Sequence, residues 1–162
     1  MAKWHRFGHM DKNFVRKGDR VIKGQKIGTV GTGNGQWYAH LHYDISNKEI
    51  KQDYIKGMSK EQVAKQYLNP HQEIKDLGII TQNDHLGYDY LAWNGYGYHP
   101  GVDINGKGAG NADFGNPIYS PVDGIVTYEV RTWFKNDGWG NVIVIKEEEV
   151  TCNHQCPVHC PK

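Results

Sequence analysis

The first 151 residues of this 162-residue chain contain no cysteine, so its body is not stapled by disulfides and its compartment cannot be read from thiols. An excess of one charge is missing too. Nineteen Lys and Arg stand against eighteen Asp and Glu, a formal net charge of +1, which gives no basic stripe that would demand nucleic acid and no acidic tail. No segment approaches the roughly 18 apolar residues of a membrane span. The opening "MAKWHRFGHM" lacks a signal-peptide core, so the chain by itself is not expected to be addressed to the secretory pathway. Nor is this the composition of a disordered chain: 38% hydrophobic and 23% charged residues fit a globular domain. The length suits one domain that buries its own core.

Glycine and aromatics are what the chain has in quantity. Twenty glycines among ten tyrosines and five tryptophans predict many tight turns between short aromatic strands, hence a mainly β fold. Residues 1–46 read as short strands broken by glycine. In "FVRKGDRVIKGQKIGTVGTGNG", Val15-x-x-Gly18 returns six residues later as Val21-x-x-Gly24, a pattern suited to tight hairpins. Residues 47–92 are a polar connector expected on the outside. It holds the best helix, "MSKEQVAKQYLNP", with a Ser59/Gln62 capping box, a Met58–Val63 staple and Pro70 as a stop, and "NPHQEIKDLGI" predicts a second short turn. Residues 93–149 return to strands in "NPIYSPVDGIVTYEV" and "GWGNVIVIKEEE". Residues 150–162 carry Cys152, Cys156 and Cys160 with His154 and His159. Structural zinc usually needs C-x-x-C knuckles, which are absent here, so a mobile tail is expected.

Two short motifs carry chemistry. In "AHLHYDI", His40 and His42 are two apart; on a β-strand both imidazoles project from one face. In "YGYHPGVDING", His99 and Asp103 are four apart across Pro100 and Gly101, which describes a turn entering a strand. An isolated H-x-H is commonly a pair of ordinary strand histidines, and an isolated H-x-x-x-D is commonly coincidence. Together they supply two histidines and a carboxylate, the three-ligand set of a catalytic zinc that keeps an open position for water.

At these residues the chain resembles the lysostaphin-type (LytM-like) zinc endopeptidases that cut peptidoglycan peptides. "HPGVDI" is similar to their first motif and "AHLHYDI" to their closing H-x-H. "FGHM" with His9 and the V-x-x-G run of residues 15–28 resemble the segments between. The order differs, because the family runs from H-x-x-x-D to H-x-H and this chain opens with the second half. The resemblance covers residues 1 to about 46 and about 93 to 149. It implies one circularly permuted peptidase domain over 1–149, an antiparallel β-sandwich or barrel-like sheet with a short helical connector. "KWHRFGHM" and "GNVIVIKEEE" should then be antiparallel neighbours, with Lys3 near Glu148 or Glu149.

Carried over position by position, the resemblance implies one zinc per chain on His42, His99 and Asp103. His40 and His9 would serve as general base or transition-state stabiliser, without apportioning the proton between them. It also implies a tyrosine near the zinc, with Tyr98 and Tyr96 as candidates for the wall that packs on substrate. His5 is expected on the surface, and His71 and His85 in solvent. The implied partners are cell-wall peptides, with neither nucleic acid nor membrane. The absent signal and anchor segments tilt the biology towards a phage lysis or virion-associated product with other phage proteins as partners.

Two alternatives stay open. One is a peptidase-like structural domain of a phage particle that has lost activity. The other is a biotinyl- or lipoyl-like carrier, whose hairpin repeats resemble residues 15–28; Lys23 and Lys26, however, lack the flanks of a modified lysine, and a carrier has no use for the two histidine motifs.

Overall fold

A computed structural model describes residues 1–52, 56–71, 85–106, 108–132 and 138–149. The Cys/His tail and most of the predicted second turn of the connector lie outside these residues. The fold is mainly antiparallel β. In chain order the elements are β1 (Trp4–Asn13), β2 (Arg20–Val21), β3 (Lys26–Val30), β4 (Leu41–Ser46), α1 (Lys60–Gln66), β5 (Tyr67–Leu68), β6 (His85–Leu86), β7 (Val102–Asn105), β8 (Pro117–Tyr119), β9 (Gly124–Val130) and β10 (Asn141–Glu147).

Among the described residues these strands make one ten-stranded sheet, ordered β2-β9-β10-β1-β4-β7-β6, with β3 branching from β1 to β8 and β5 pairing β4. The strand β1 is its spine. It pairs antiparallel with β10 through Trp4–Lys146 and Phe7–Ile143, and with β4 through Trp4–Ser46 and Gly8–His42. The two ends of the chain thus meet on one sheet, as expected. The Glu147 N–H donates to the Lys3 carbonyl at 2.9 Å, and the terminal amine lies 2.9 Å from Glu149. Lys3 faces Glu147 at 3.9 Å rather than Glu148 or Glu149, and Glu148 is taken by Arg20.

Alternation along the strands divides the two faces of the sheet. In β4, Leu41, Tyr43 and Ile45 enter the main core with Phe7, Ile27, Ile118, Ile143 and Ile145. The residues between them, His42 and Asp44, project to the other face, where Val142, Val144, Trp139, Ile50, Val63 and Tyr67 form a second cluster. Both faces of β10 are covered along Val142 to Ile145, which is why that stretch is an unbroken apolar run.

Several expectations are corrected by packing. The glycine-cornered run does not fold into hairpins with itself. Gly18 and Gly24, both at positive φ, turn β2 away to pair with β9, while β3 returns to β1. The helix forms with its Ser59/Gln62 capping box but ends at Gln66, because Tyr67 pairs with Ser46 of β4. Nor is the connector merely external, since Val63 and Tyr67 are buried in the second cluster. The strand signal of residues 116–130 divides into β8 and β9 around Pro121. His5 is fully buried, not on the surface: it shares the core face with Phe7, and its Nδ1 lies 2.7 Å from the Tyr43 hydroxyl. His71 is part-exposed, as expected, and bonds Asp89 at 2.6 Å; His85 lies in β6 opposite Asn105, and the solvation expected of its side chain lies outside what is described.

Candidate metal centre

Cross-strand register builds the site. His42 on β4 lies opposite Asp103 on β7, and the turn before β7 delivers His99. In that turn the Leu91 N–H donates to the His99 carbonyl and the His99 N–H to the Ala92 carbonyl, both at 2.8 Å. Gly101 follows because a Cβ there would collide with the Tyr43 carbonyl. The result is a triangle of donor atoms. His42 Nδ1 is 3.0 Å from His99 Nε2 and 3.0 Å from Asp103 Oδ1, and His99 Nε2 is 3.1 Å from Asp103 Oδ1.

The second ring nitrogens fix which atoms face inward. The His99 Nδ1–H donates to the Gly101 carbonyl at 2.8 Å, leaving Nε2 for a ligand. His42 Nε2 bonds Asp44 at 2.8 Å, leaving Nδ1 for a ligand. Donors around a tetrahedral zinc, with bonds near 2.0–2.1 Å, stand about 3.3 Å apart. The triangle needs only slight expansion to fit. One atom each of His9, His42 and Asp103 also lie within 4.8 Å of one another, but that looser set uses the one ring of the four that is aimed by a backbone irregularity. The tighter set is the better zinc cradle.

That irregularity explains His9. Even-numbered residues of β1 point to the site face and odd ones to the core, so His9 would follow His5 and Phe7 inward. Instead the register slips between Phe7 and Met10, and His9 adopts φ 62°, in the left-handed region. This bulge turns the ring outward and returns Met10 to the core. The His9 ring then stacks on Trp139 at 6.1 Å and meets His40 edge-on at 4.6 Å. The His40 Nδ1–H donates to the Tyr38 carbonyl at 2.7 Å, and its Nε2 stands 3.8 Å from Asp103 Oδ2.

Electrostatics separate the roles. Burial, with His40 and His42 beside it, holds His9 well below the ordinary histidine value, so it is neutral at pH 7. Burial also opposes charge on His42, but hydrogen bonds to Asp103 and Asp44 outweigh it and raise His42 to about 9. Asp103 is likewise opposed by burial yet held well below the usual carboxylate range by bonds from His42 and His99.

The cluster floors a groove of about 630 Å³ walled by Trp37, Tyr88, Tyr96 and Trp139. Five predicted site residues, His9, His40, His42, His99 and Asp103, therefore meet at one place, and Tyr96 lines the wall. Tyr98 does not line the groove; it packs edge-on against Trp93 at 5.2 Å. Sequence reasoning passed over Asp44 and Arg6. Their signal was present, because the alternation of "HLHYD" carries the histidine stripe on to Asp44, directly opposite Arg6.

Residues 2–54 match the family model of Peptidase family M23. The matched segment, about a third of the chain, is similar to that family. It contains His9, His40 and His42, whereas His99 and Asp103 lie outside it. The chain is also 28% identical over 81 residues to the peptidoglycan DD-endopeptidase ShyB of Vibrio cholerae. That alignment covers 50% of this chain but only 18% of the relative, so the chain spans less than a fifth of the curated relative it matches. No solved structure matches the chain at a significant level.

Proposed function

We propose that this protein is a zinc-dependent endopeptidase that hydrolyses peptide bonds of bacterial peptidoglycan. The observation carrying the proposal is the triangle of His42 Nδ1, His99 Nε2 and Asp103 Oδ1, with edges of 3.0–3.1 Å, at the floor of an aromatic groove. The M23 match over residues 2–54 supplies the reaction class, and the likeness to a peptidoglycan DD-endopeptidase supplies the substrate class.

His42, His99 and Asp103 would hold the metal. Zinc at that position supplies the Lewis acidity that activates a water and polarises a peptide carbonyl. His9, neutral at pH 7 and packed against His40, is suited to take a proton from the attacking water and pass it to the leaving amine. His40, held by the Tyr38 carbonyl, directs Nε2 into the groove, where, once it carries a proton as the imidazolium, it can donate to the developing oxyanion. Tyr96, Tyr88 and Trp37 offer flat apolar walls to an extended peptide.

The proposal extends to chain order: residues 1–149 form one peptidase domain in which H-x-H precedes H-x-x-x-D. Two observations support it. The β1–β10 pairing closes the sheet where a connecting hairpin would lie, and the terminal amine sits 2.9 Å from Glu149. Joining residue 149 to residue 3 with a short glycine turn and opening the chain within residues 70–90 should preserve fold and activity. A rearranged chain that folds but has lost its activity would contradict the permuted order.

The test of function is release of new amino termini from purified sacculi, followed by mass spectrometry of the fragments. Activity should disappear with a chelator and return with zinc. Fragments from glycan cleavage alone, or activity indifferent to chelation, would overturn the assignment.

A further inference from the structure

Beneath the proposed zinc ligands lies a charged pair that the reaction itself does not use. Arg6, on β1, is fully buried, as is Asp44 on β4 directly opposite it. The guanidinium is clamped from three sides. Its Nη1 donates to the Lys51 carbonyl at 2.9 Å, its plane lies 4.3 Å from the Trp139 ring centre, and Tyr67 stands at 5.8 Å.

The way the pair closes is informative. An arginine–carboxylate pair that serves stability alone favours a fork, with two N–H groups on two oxygens. Here Arg6 Nε and Nη2 both donate to Asp44 Oδ2, at 2.9 and 2.6 Å. The same oxygen accepts from His42 Nε2 at 2.8 Å, while the buried Asp44 Oδ1 has no hydrogen-bond partner among the described residues. The carboxylate thus gives up the fork and gathers three donors on the one oxygen aimed at His42. Trp139 completes the clamp, since its ring packs edge-on against His42 at 5.2 Å as well as over Arg6.

We propose that Arg6 and Asp44 are positioning residues that hold His42 with its Nε2–H on Asp44 and its Nδ1 aimed at the metal. The inference rests on the zinc reading above. A ligating histidine whose second nitrogen is fixed by a carboxylate is held in one tautomer and one ring orientation, and loss of such a partner typically weakens metal binding 10- to 100-fold. Arg6 acts at one remove, by fixing the carboxylate.

The test is zinc affinity, measured by chelator competition on the whole chain, together with ¹⁵N spectra of the histidine rings. Asp44→Asn should bind zinc about 10- to 100-fold more weakly. Because that change strands a buried Arg6, the double variant Arg6→Met/Asp44→Asn removes both charges together, which buried pairs often tolerate. It should show the same loss of affinity with a cooperative thermal transition. A folded double variant that binds zinc within twofold of the wild type would overturn the inference and leave the pair a purely structural one. The wild-type spectrum decides independently of folding: zinc-loaded His42 should show a protonated Nε2 and a metal-shifted Nδ1, and the reverse pattern would overturn the inference. Failure of the wild type to bind zinc would instead refute the zinc reading itself.

Discussion

The bulge that aims His9 can be tested by a comparison that cancels the side chain. At an ordinary strand position, glycine is less stable than alanine by about 0.5–1 kcal/mol, because the unfolded chain loses more freedom on folding. His9 sits at φ 62°, where any Cβ costs roughly 1–2 kcal/mol. His9→Ala and His9→Gly lose the same ring contacts with Trp139 and His40, but only glycine relieves the backbone. The usual order should therefore invert. The glycine variant should exceed the alanine variant by about 0.5–1 kcal/mol, which for a chain of this size is about 1–4 °C in melting temperature. Both should lose roughly 10²-fold or more in turnover, as expected when an acid–base partner is removed. Thermal melts of the zinc-loaded variants, compared side by side, provide the assay. An alanine variant more stable than the glycine variant would refute the left-handed bulge, and with it the account of how an odd-numbered residue reaches the site face.

Three further outcomes follow from the same geometry. In zinc-stripped protein, His42 is raised from 6.5 to about 9. Its contribution, on the order of 3 kcal/mol, is complete below pH 6.5 and lost as pH rises through about 9, so melting temperature should fall across that window; a flat profile would contradict the Asp44–His42–Asp103 bridge. Gly101→Ala should cost about 1–3 kcal/mol and weaken zinc binding, because the added Cβ meets the Tyr43 carbonyl and Asp44 Cβ and pushes the His99 turn off β4. Stability and zinc affinity equal to the wild type would refute that packing. His40→Ala should leave zinc bound while slowing hydrolysis about 10²-fold; unchanged turnover would reduce His40 to a packing residue.

The site was legible in the sequence where it obeys strand alternation. "AHLHYDI" shows its two faces directly, since Leu41, Tyr43 and Ile45 fill the core while His42 and Asp44 do not. His5 was expected on the surface, although it stands four residues before His9 and so nominally on the same face of the strand. The slip between Phe7 and Met10 breaks that parity, and no residue type around it announces a bulge. Arg6 was illegible for a different reason. A lone arginine in a strand reads as exposed, and its burial becomes understandable only when the register places Asp44 opposite and Trp139 above it. The connector looked external because most of its side chains are polar, yet Val63 and Tyr67 seal the second cluster over β10.

The proposed activity stands or falls on the metal. Zinc content of the purified chain, by mass spectrometry of intact protein and by elemental analysis, should be about one equivalent. It should drop to near zero in Asp103→Ala and in His99→Ala, each of which removes one corner of the 3.0–3.1 Å triangle. It should persist in His9→Ala, whose ring lies outside that triangle. Full zinc occupancy after loss of Asp103 or His99, or loss of zinc on removing His9 alone, would contradict the ligand set on which the proposed activity depends.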